Sequence, residues 1–384
     1  MNSEVSFFAG RLSSYTENWK LLGSNRFVIS MIKGYSLEFK IPPIQDSIPK
    51  SRFLSPLETK DLQTMIQDLL NQGVICKCKS IDGEFVSQIF LVPKPDGRKR
   101  LIFNLKELNT FVLTKKFKME NIFNAMKLIN KGDFLSTLDL KDAYYTVPMH
   151  KNFRKYLRFT FNGDIYEFTC LPFGLCTAPC VFTKLMKPVT RYLREKGIRL
   201  IIYLDDFLII GSTYNECKRH FEFTKSLLES LGFIVNKKKS VLEPTNSLKF
   251  LGFMLNTADM TISLPLEKKS TIYNLCDSFL NKSSFSILEL AKIIGTLVAA
   301  TPAVPYGFAH IKFLERVKYR ALARNRGNYN GKILLSSSMK IDLEWWRCQI
   351  MSSINFFPND KYDLEIFTDA STTGWGAFCK TSST

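Results

Sequence analysis

The sequence predicts an α+β fold in which helices pack on an antiparallel sheet, and three observations carry that reading. From Phe134 onward the apolar pattern runs strand, helix-like turn, hairpin, helix, hairpin, helix, strand. Within it, Ile201-Ile202-Tyr203-Leu204-Asp205-Asp206-Phe207-Leu208-Ile209-Ile210 sets two carboxylates in the middle of an apolar run. The 384 residues are 45% apolar and 23% charged, which suits a globular chain of two or three domains with sizeable cores.

Charge narrows the class of partner. Lys and Arg number 53 against 35 Asp and Glu, a net +18, and the pI is near 9.4. A polyanion, nucleic acid ahead of membrane, is the expected partner. The basic residues come in short clusters (Arg98-Lys99-Arg100, Lys115-Lys116, Lys237-Lys238-Lys239) with no long tail, so the charge is expected to line a folded groove. The nine cysteines form no disulfide framework and, with three histidines, no zinc pattern. They read as reduced core residues of an intracellular protein. No signal peptide pattern opens the chain, and Pro302 and Pro305 interrupt the apolar stretch 293–311, so no membrane association is expected.

Taken in order, residues 1–74 read as a lead-in. Short helices are expected over Ser13–Trp19 and Arg26–Gly34, followed by an extended linker at Ile41-Pro42-Pro43 and Ile48-Pro49. Ser55-Pro56-Leu57-Glu58 is a capping box that opens a helix running to about Gln72, stopped by Gly73. Strands Ser87–Pro93 and Lys99–Asn104 flank the turn Lys94-Pro95-Asp96-Gly97, whose basic tip could close over phosphates or simply be a charged surface turn. Phe134–Leu140 is a strand with Asp139 near its end. Asn162-Gly163 marks a type I′ hairpin. Leu171-Pro172-Phe173-Gly174 leads into a helix from Ala178 to Lys196 that contains Pro188.

Leu200–Leu204 and Phe207–Ile210 are the arms of a tight hairpin with Asp205 and Asp206 at its tip. Like charges this close repel unless a cation sits beside them, and carboxylate oxygens suit Mg²⁺. Alone, the pair reads more readily as a plain turn between core strands. With Asp139 on a neighbouring strand it makes a minimal cage for two Mg²⁺ ions roughly 4 Å apart, the arrangement used in phosphoryl transfer. Helix Asn215–Leu231, the lysine run after Asn236 and a strand Leu248–Leu255 follow. Residues 257–350 turn helical: Leu266–Leu280, Ser286–Val298, His310–Arg324 and Ser338–Ile350. Arg316, Arg320 and Arg324 share one helix face, suited to backbone phosphates or to plain solvation. Glu365–Ser371 is a strand ending near Asp369, with another expected around Gly374–Phe378.

These pieces, in this order, resemble a reverse transcriptase of the retroelement kind, strongly over about residues 75–256 and in outline over the whole chain. Leu-Pro-Phe-Gly-Leu-Cys-Thr-Ala-Pro at 171–179 and Phe-Thr-Asp-Ala-Ser-x-x-Gly-Trp-Gly-Ala at 367–377 are most similar to DIRS-type (tyrosine-recombinase) retrotransposons, with gypsy-like elements close. The resemblance implies a right-hand polymerase fold: lead-in 1–74, fingers and palm 75–256, helical thumb or connection 257–360, and the start of an RNase H-like domain at 361–384. It implies an RNA-directed DNA polymerase that extends a primer on an RNA or DNA template with dNTPs, using two Mg²⁺ ions for which Mn²⁺ can substitute.

Residue by residue, Leu138-Asp139-Leu140-Lys141-Asp142-Ala143-Tyr144 and Tyr203-Leu204-Asp205-Asp206 resemble the two metal-binding palm motifs. By that match Asp139, Asp205 and Asp206 are catalytic and hold metal, with the Leu140 carbonyl assisting. Tyr144 matches the steric gate against a ribose 2′-OH. Lys94, Arg100, Asp142, Ala143, Phe173, Gly174 and Lys239 match dNTP-binding positions, Lys239 as proton donor to pyrophosphate. Retroviral enzymes usually carry Gln where Phe173 stands, so a polar group is missing there. Phe250, Leu251 and Gly252 match the primer grip. Asp369 matches the first RNase H carboxylate, whose partners would lie downstream, so RNase H activity is expected to be absent. The rival readings are an RNA-dependent RNA polymerase, a domesticated or truncated non-catalytic nucleic-acid-binding protein, and a structural subunit of a heterodimer.

Overall fold

The computed structural model describes residues 7–49, 54–93, 97, 99–358 and 364–380. The chain divides into two compact units, residues 1–251 and 252–384.

The first unit is built around a four-stranded antiparallel sheet. Its strand order is Arg199–Tyr203, Asp206–Gly211, Phe134–Asp139, Val241–Thr245. The first two are the arms of the expected hairpin. Their Leu, Ile and Phe side chains are buried almost continuously, as in strands covered on both faces. Helix Tyr214–Ser230 follows the hairpin and packs on the sheet through Cys217, Phe221, Thr224 and Leu228, one stripe at helical spacing. Thr213 caps it, accepting from the Glu216 amide. The approach is so close that a Cβ on Gly211 would sit 2.4 Å from the Cys217 nitrogen, so only glycine fits there. Helix Ala178–Glu195 also packs on this sheet; Pro188 lies inside it, on the buried face.

The same unit holds a three-stranded sheet (Ile75–Cys78, Asp164–Phe168, Arg158–Phe161) and the hairpin Gln88–Pro93/Lys99–Asn104. Asn162 and Gly163 adopt φ of 49° and 81°, the type I′ signature expected from the dipeptide. Arg158 is buried and bridges Glu84 and Glu167 at 2.5 and 2.8 Å. The capping box at Ser55 and Glu58 forms as expected.

Residues 7–35 do more than lead in. Leu12, Trp19, Val28, Met31 and Ile32 belong to the same buried cluster as Leu138, Ile209 and Phe233. Trp19 Nε1 donates to the Leu231 carbonyl at 2.9 Å, and the Gly10 amide donates to the Tyr145 carbonyl at 2.8 Å.

One expected element is corrected. Leu248–Leu255 is not a single strand: Ser247–Phe250 and Phe253–Asn256 are separate, with Leu251 and Gly252 between them at φ 47° and 82°. Two successive residues at positive φ reverse the chain, and the apolar run gave no sign of it because Leu rarely adopts that conformation.

In the second unit, strands Phe253–Asn256, Thr261–Ser263 and Asn355–Phe356 pair antiparallel. Helices Leu266–Leu280, Ile287–Ala300, Ala309–Arg324 and Ser337–Gln349 fall within two residues of the expected boundaries. A capping box at Ser286 and Glu289 opens the second of them. Glu365–Ala370 and Trp375–Lys380 form an antiparallel hairpin with Asp369 opposite Gly376, exposed along its first strand. Among the described residues no helix is long and apolar enough to cross a membrane.

Candidate functional site

The sheet register decides how the carboxylates meet. Asp139, the last residue of its strand, pairs directly with Asp206, the first residue of the next. Directly opposed residues have Cβ atoms about 5 Å apart. The hairpin turn itself is Leu204-Asp205, since Tyr203 pairs with Asp206. Leu204 takes φ 56°, a conformation unfavourable for leucine, and the Asp205 carbonyl accepts from the Leu140 amide at 3.1 Å. That bond ties the turn to the end of the Asp139 strand. Strain held in place by surrounding hydrogen bonds is what a fixed functional edge requires.

The electrostatics of this edge are unfavourable by themselves. Burial, then Asp205 and Asp139, push the Asp206 carboxyl up to about 6. Burial, more than the charge of Asp139, also raises Asp205. Asp139 Oδ1 is fully buried with no hydrogen-bond partner. A buried carboxylate oxygen left unpaired is costly, and a cation is the partner its chemistry fits. Lys239 Nζ stands 3.8 Å from Asp139 Oδ2, exposed and therefore a weak counter-charge. Among the described residues no three His, Cys, Asp or Glu side chains converge into a ready-made ion cage.

Residues to which the sequence assigns no role hold this edge. The Asp139 amide donates to Ser240 Oγ at 3.0 Å, the Ser240 hydroxyl donates to the Asn236 carbonyl, and the Asn236 amide donates to the Asp139 carbonyl at 2.8 Å. The Asn-Lys-Lys-Lys-Ser turn was the available signal, but only its lysines were singled out. Glu120 accepts from the Ile202 amide at 2.9 Å and pairs with Arg194, fixing the outer hairpin arm.

Tyr144 lies beside the carboxylates in the 3₁₀ turn Ala143–Thr146, entered through Asp142 at φ 48°. Burial, with Asp205 behind it, pushes its hydroxyl up to about 12. Its ring packs on Phe173 at 4.9 Å and edge-on to Phe182 at 5.6 Å. Phe173 is half exposed and also touches Tyr145. Ala143 is buried, and burial raises the Asp142 carboxyl. The Phe173-Gly174 turn is held by Asn109, whose Nδ2 donates to the Gly174 carbonyl and whose Oδ1 accepts from the Cys176 amide, both at 2.9 Å. Asn109 is 65 residues away and carries no motif, so the sequence reading missed it.

Other expected site residues stand apart. Arg100 is exposed on the basic hairpin, opposite Val92. Lys94 and Arg98 lie outside the described residues. Phe250 is buried; Leu251 and Gly252 form the turn described above, and the Gly252 carbonyl accepts from Lys268 Nζ. Asp369 lies on the exposed hairpin of the second unit.

Residues 92–255, which hold the opposed carboxylates, Tyr144 and the Phe173-Gly174 turn, match the reverse transcriptase (RNA-dependent DNA polymerase) family. The chain carries a reverse transcriptase domain. It is similar to the Pro-Pol polyprotein of simian foamy virus type 3 (strain LK3), 27% identical over 278 residues, which are 72% of this chain and 22% of that protein. The retrovirus-related Pol polyprotein from transposon gypsy of Drosophila melanogaster is 26% identical over 330 residues, 81% of this chain and 30% of that protein. Transposon polyproteins of Schizosaccharomyces pombe, such as Tf2-3, are 24% identical over 233 residues, 60% of this chain and 17% of theirs. The chain thus spans less than a third of the length of these relatives. The foamy viral protease-reverse transcriptase in complex with RNA/DNA hybrid superposes with a TM-score of 0.66 at 20% identity, covering 99% of this chain and 54% of that one. A second foamy viral structure, in complex with double-stranded DNA, gives 0.67 at 21%, covering 100% and 70%. The reverse transcriptase domain therefore has the mixed α/β polymerase fold of those enzymes.

Proposed function

We propose that this chain is the RNA-directed DNA polymerase of a retrotransposon, joining dNTPs to a primer 3′-OH on an RNA or DNA template. The observation that carries the reading is the register setting Asp139 opposite Asp206, with an unpartnered Asp139 oxygen, inside a reverse transcriptase domain. Asp139, Asp205 and Asp206 would hold two Mg²⁺ ions, or Mn²⁺ in their place, with the Leu140 carbonyl assisting. When bound, such ions lower the cost of charge on the attacking and leaving oxygens. The primer hydroxyl attacks the α-phosphate and pyrophosphate leaves.

The chain's own residues do the rest. Tyr144 walls the sugar side of the dNTP and leaves no room for a 2′-OH. The Phe173-Gly174 turn stacks against the nucleotide, and the Asp142 and Ala143 amides hold phosphate oxygens. Lys94 and Arg100 grip the triphosphate, and Lys239 Nζ supplies a proton to the leaving pyrophosphate. Phe250, Leu251 and Gly252 seat the primer end. Exposed Arg316, Arg320 and Arg324 on helix Ala309–Arg324 suit backbone phosphates. In this reading 75–256 is fingers and palm, into whose core residues 7–35 of the N-terminal segment pack, 257–360 is thumb or connection, and 361–384 is an RNase H-like segment with Asp369 as first carboxylate. The motifs at 171–179 and 367–377 favour a DIRS-type element over a gypsy-like one.

Primer extension on oligo(dT)-primed poly(rA) with Mg²⁺ tests the reading. Extension by dTTP that is lost in an Asp205→Ala, Asp206→Ala protein is expected. No extension, with salt-sensitive template–primer binding intact in both proteins, would favour a binding module instead. Tyr144→Ala should admit ribonucleotides; an unchanged preference would count against the deoxynucleotide assignment and for an RNA polymerase.

A further inference from the structure

A concave surface on the first unit shares no lining residue with the carboxylate edge. Helix Ala178–Glu195 turns Phe182 toward Tyr144, whereas Lys184, Lys187 and Arg191 line an open cavity of about 500 Å³ with Gly23 and Phe27. No carboxylate is among the residues lining it. Two of the cations are held in place. Arg191 Nη2 donates to the Gly23 carbonyl at 3.1 Å, and Lys184 Nζ lies 5.1 Å from the centre of the Phe27 ring. Lys187 is exposed. Glu195, one turn further along the helix, stands 3.9 Å from Arg191 Nε and offsets part of that charge. Phe27 is 45% exposed although its neighbour Val28 is buried in the core.

Three cations spaced along one helix beside an exposed aromatic ring are the two components of a single-strand platform: charge for the backbone and a π-face for a base. An acidic peptide would use the charge but gain nothing from the ring. We propose that this groove binds single-stranded nucleic acid, specifically the unpaired template strand beyond the duplex that occupies the catalytic cleft. The proposal rests on the polymerase reading for the identity of that strand, but binding in the groove requires neither metal nor dNTP.

The test is equilibrium binding without metal or dNTP, by fluorescence anisotropy across a salt series. One labelled duplex carries a single-stranded template overhang of about ten nucleotides, within the reach of one such platform; the other is blunt. In a Lys184→Gln, Lys187→Gln, Arg191→Gln protein, the slope of log affinity against log salt should become shallower by about 2 for the overhang duplex, at ~0.7 for each phosphate no longer neutralised. The blunt duplex should be unaffected. Phe27→Ala should weaken overhang binding by about tenfold with the slope unchanged, and Phe27→Tyr should restore it. Equal losses on both duplexes, no loss on either, or displacement by polyglutamate as readily as by oligo(dT) would each overturn the proposal. Primer extension run in parallel separates the two readings. Intact extension with unchanged overhang binding refutes the groove alone; absent extension with the expected binding losses refutes the polymerase alone.

Discussion

Replacing Gly174 with alanine tests whether the nucleotide-facing turn is built as described. Gly174 has φ 93°, and an added Cβ would stand 2.9 Å from the Phe103 carbonyl oxygen. That carbonyl cannot retreat freely, because Phe103 is buried and stacked on Phe168 with ring centres 4.7 Å apart. Two costs therefore add: about 1–2 kcal/mol for an L-residue at positive φ, and about 1–3 kcal/mol for forcing an atom into a packed site. Gly163 separates them. It has φ 81° and nothing within 4 Å of its would-be Cβ, so Gly163→Ala carries only the conformational cost. Urea unfolding should show Gly174→Ala destabilised by about 2–5 kcal/mol and Gly163→Ala by about 1–2 kcal/mol. In steady-state primer extension, Gly174→Ala should also raise KM for the dNTP, since the shift moves Phe173 off the rings of Tyr144 and Tyr145; Gly163→Ala should not. Equal costs for the two variants, or an unchanged dNTP KM in Gly174→Ala, would refute the reasoning.

Three further outcomes are expected. Asn109→Ala removes both bonds that hold the Phe173-Gly174 turn and should raise dNTP KM while lowering stability by about 1–3 kcal/mol in urea unfolding, leaving template–primer affinity unchanged. Asp206→Asn removes one of the opposed carboxylates; Mg²⁺ should raise the melting temperature of the parent protein but not of this variant, and extension should fall below detection. Trp19→Phe, which keeps a ring but loses the bond to Leu231, should cost about 1 kcal/mol, whereas Trp19→Ala should cost about 3–5 kcal/mol; equal costs would show that burial of the ring adds nothing beyond the hydrogen bond.

Much of the site was legible because its signals are local. Asn162-Gly163 dictates its own turn, Ser55 and Glu58 cap their own helix, and the apolar arms around Asp205 and Asp206 read directly as a hairpin. The turn tip was less legible. The carboxylate pair was expected at the apex, but Leu204 takes the positive φ, and Asp206 heads the returning strand. The same physics hid the break at Leu251-Gly252. In both places a leucine holds a conformation that its local propensity disfavours, so only the surrounding contacts could select it.

Local patterning is enough to identify the residues able to do chemistry and their order along the chain: Asp139, then Tyr144, then Phe173 and Gly174, then Asp205 and Asp206. It determined the main helices and hairpins, since periodicity and turn chemistry act over a few neighbours. The fold, and nothing local, sets Asp139 opposite Asp206, because strand register is fixed by packing across 67 residues. It likewise placed Ser240 and Asn236 behind Asp139 and Asn109 behind Gly174. It put Trp19 and its neighbours into the same core as the sheet, where the sequence had left residues 1–74 as a lead-in. Those arrangements depend on distant groups being desolvated together, and no short stretch of sequence encodes that.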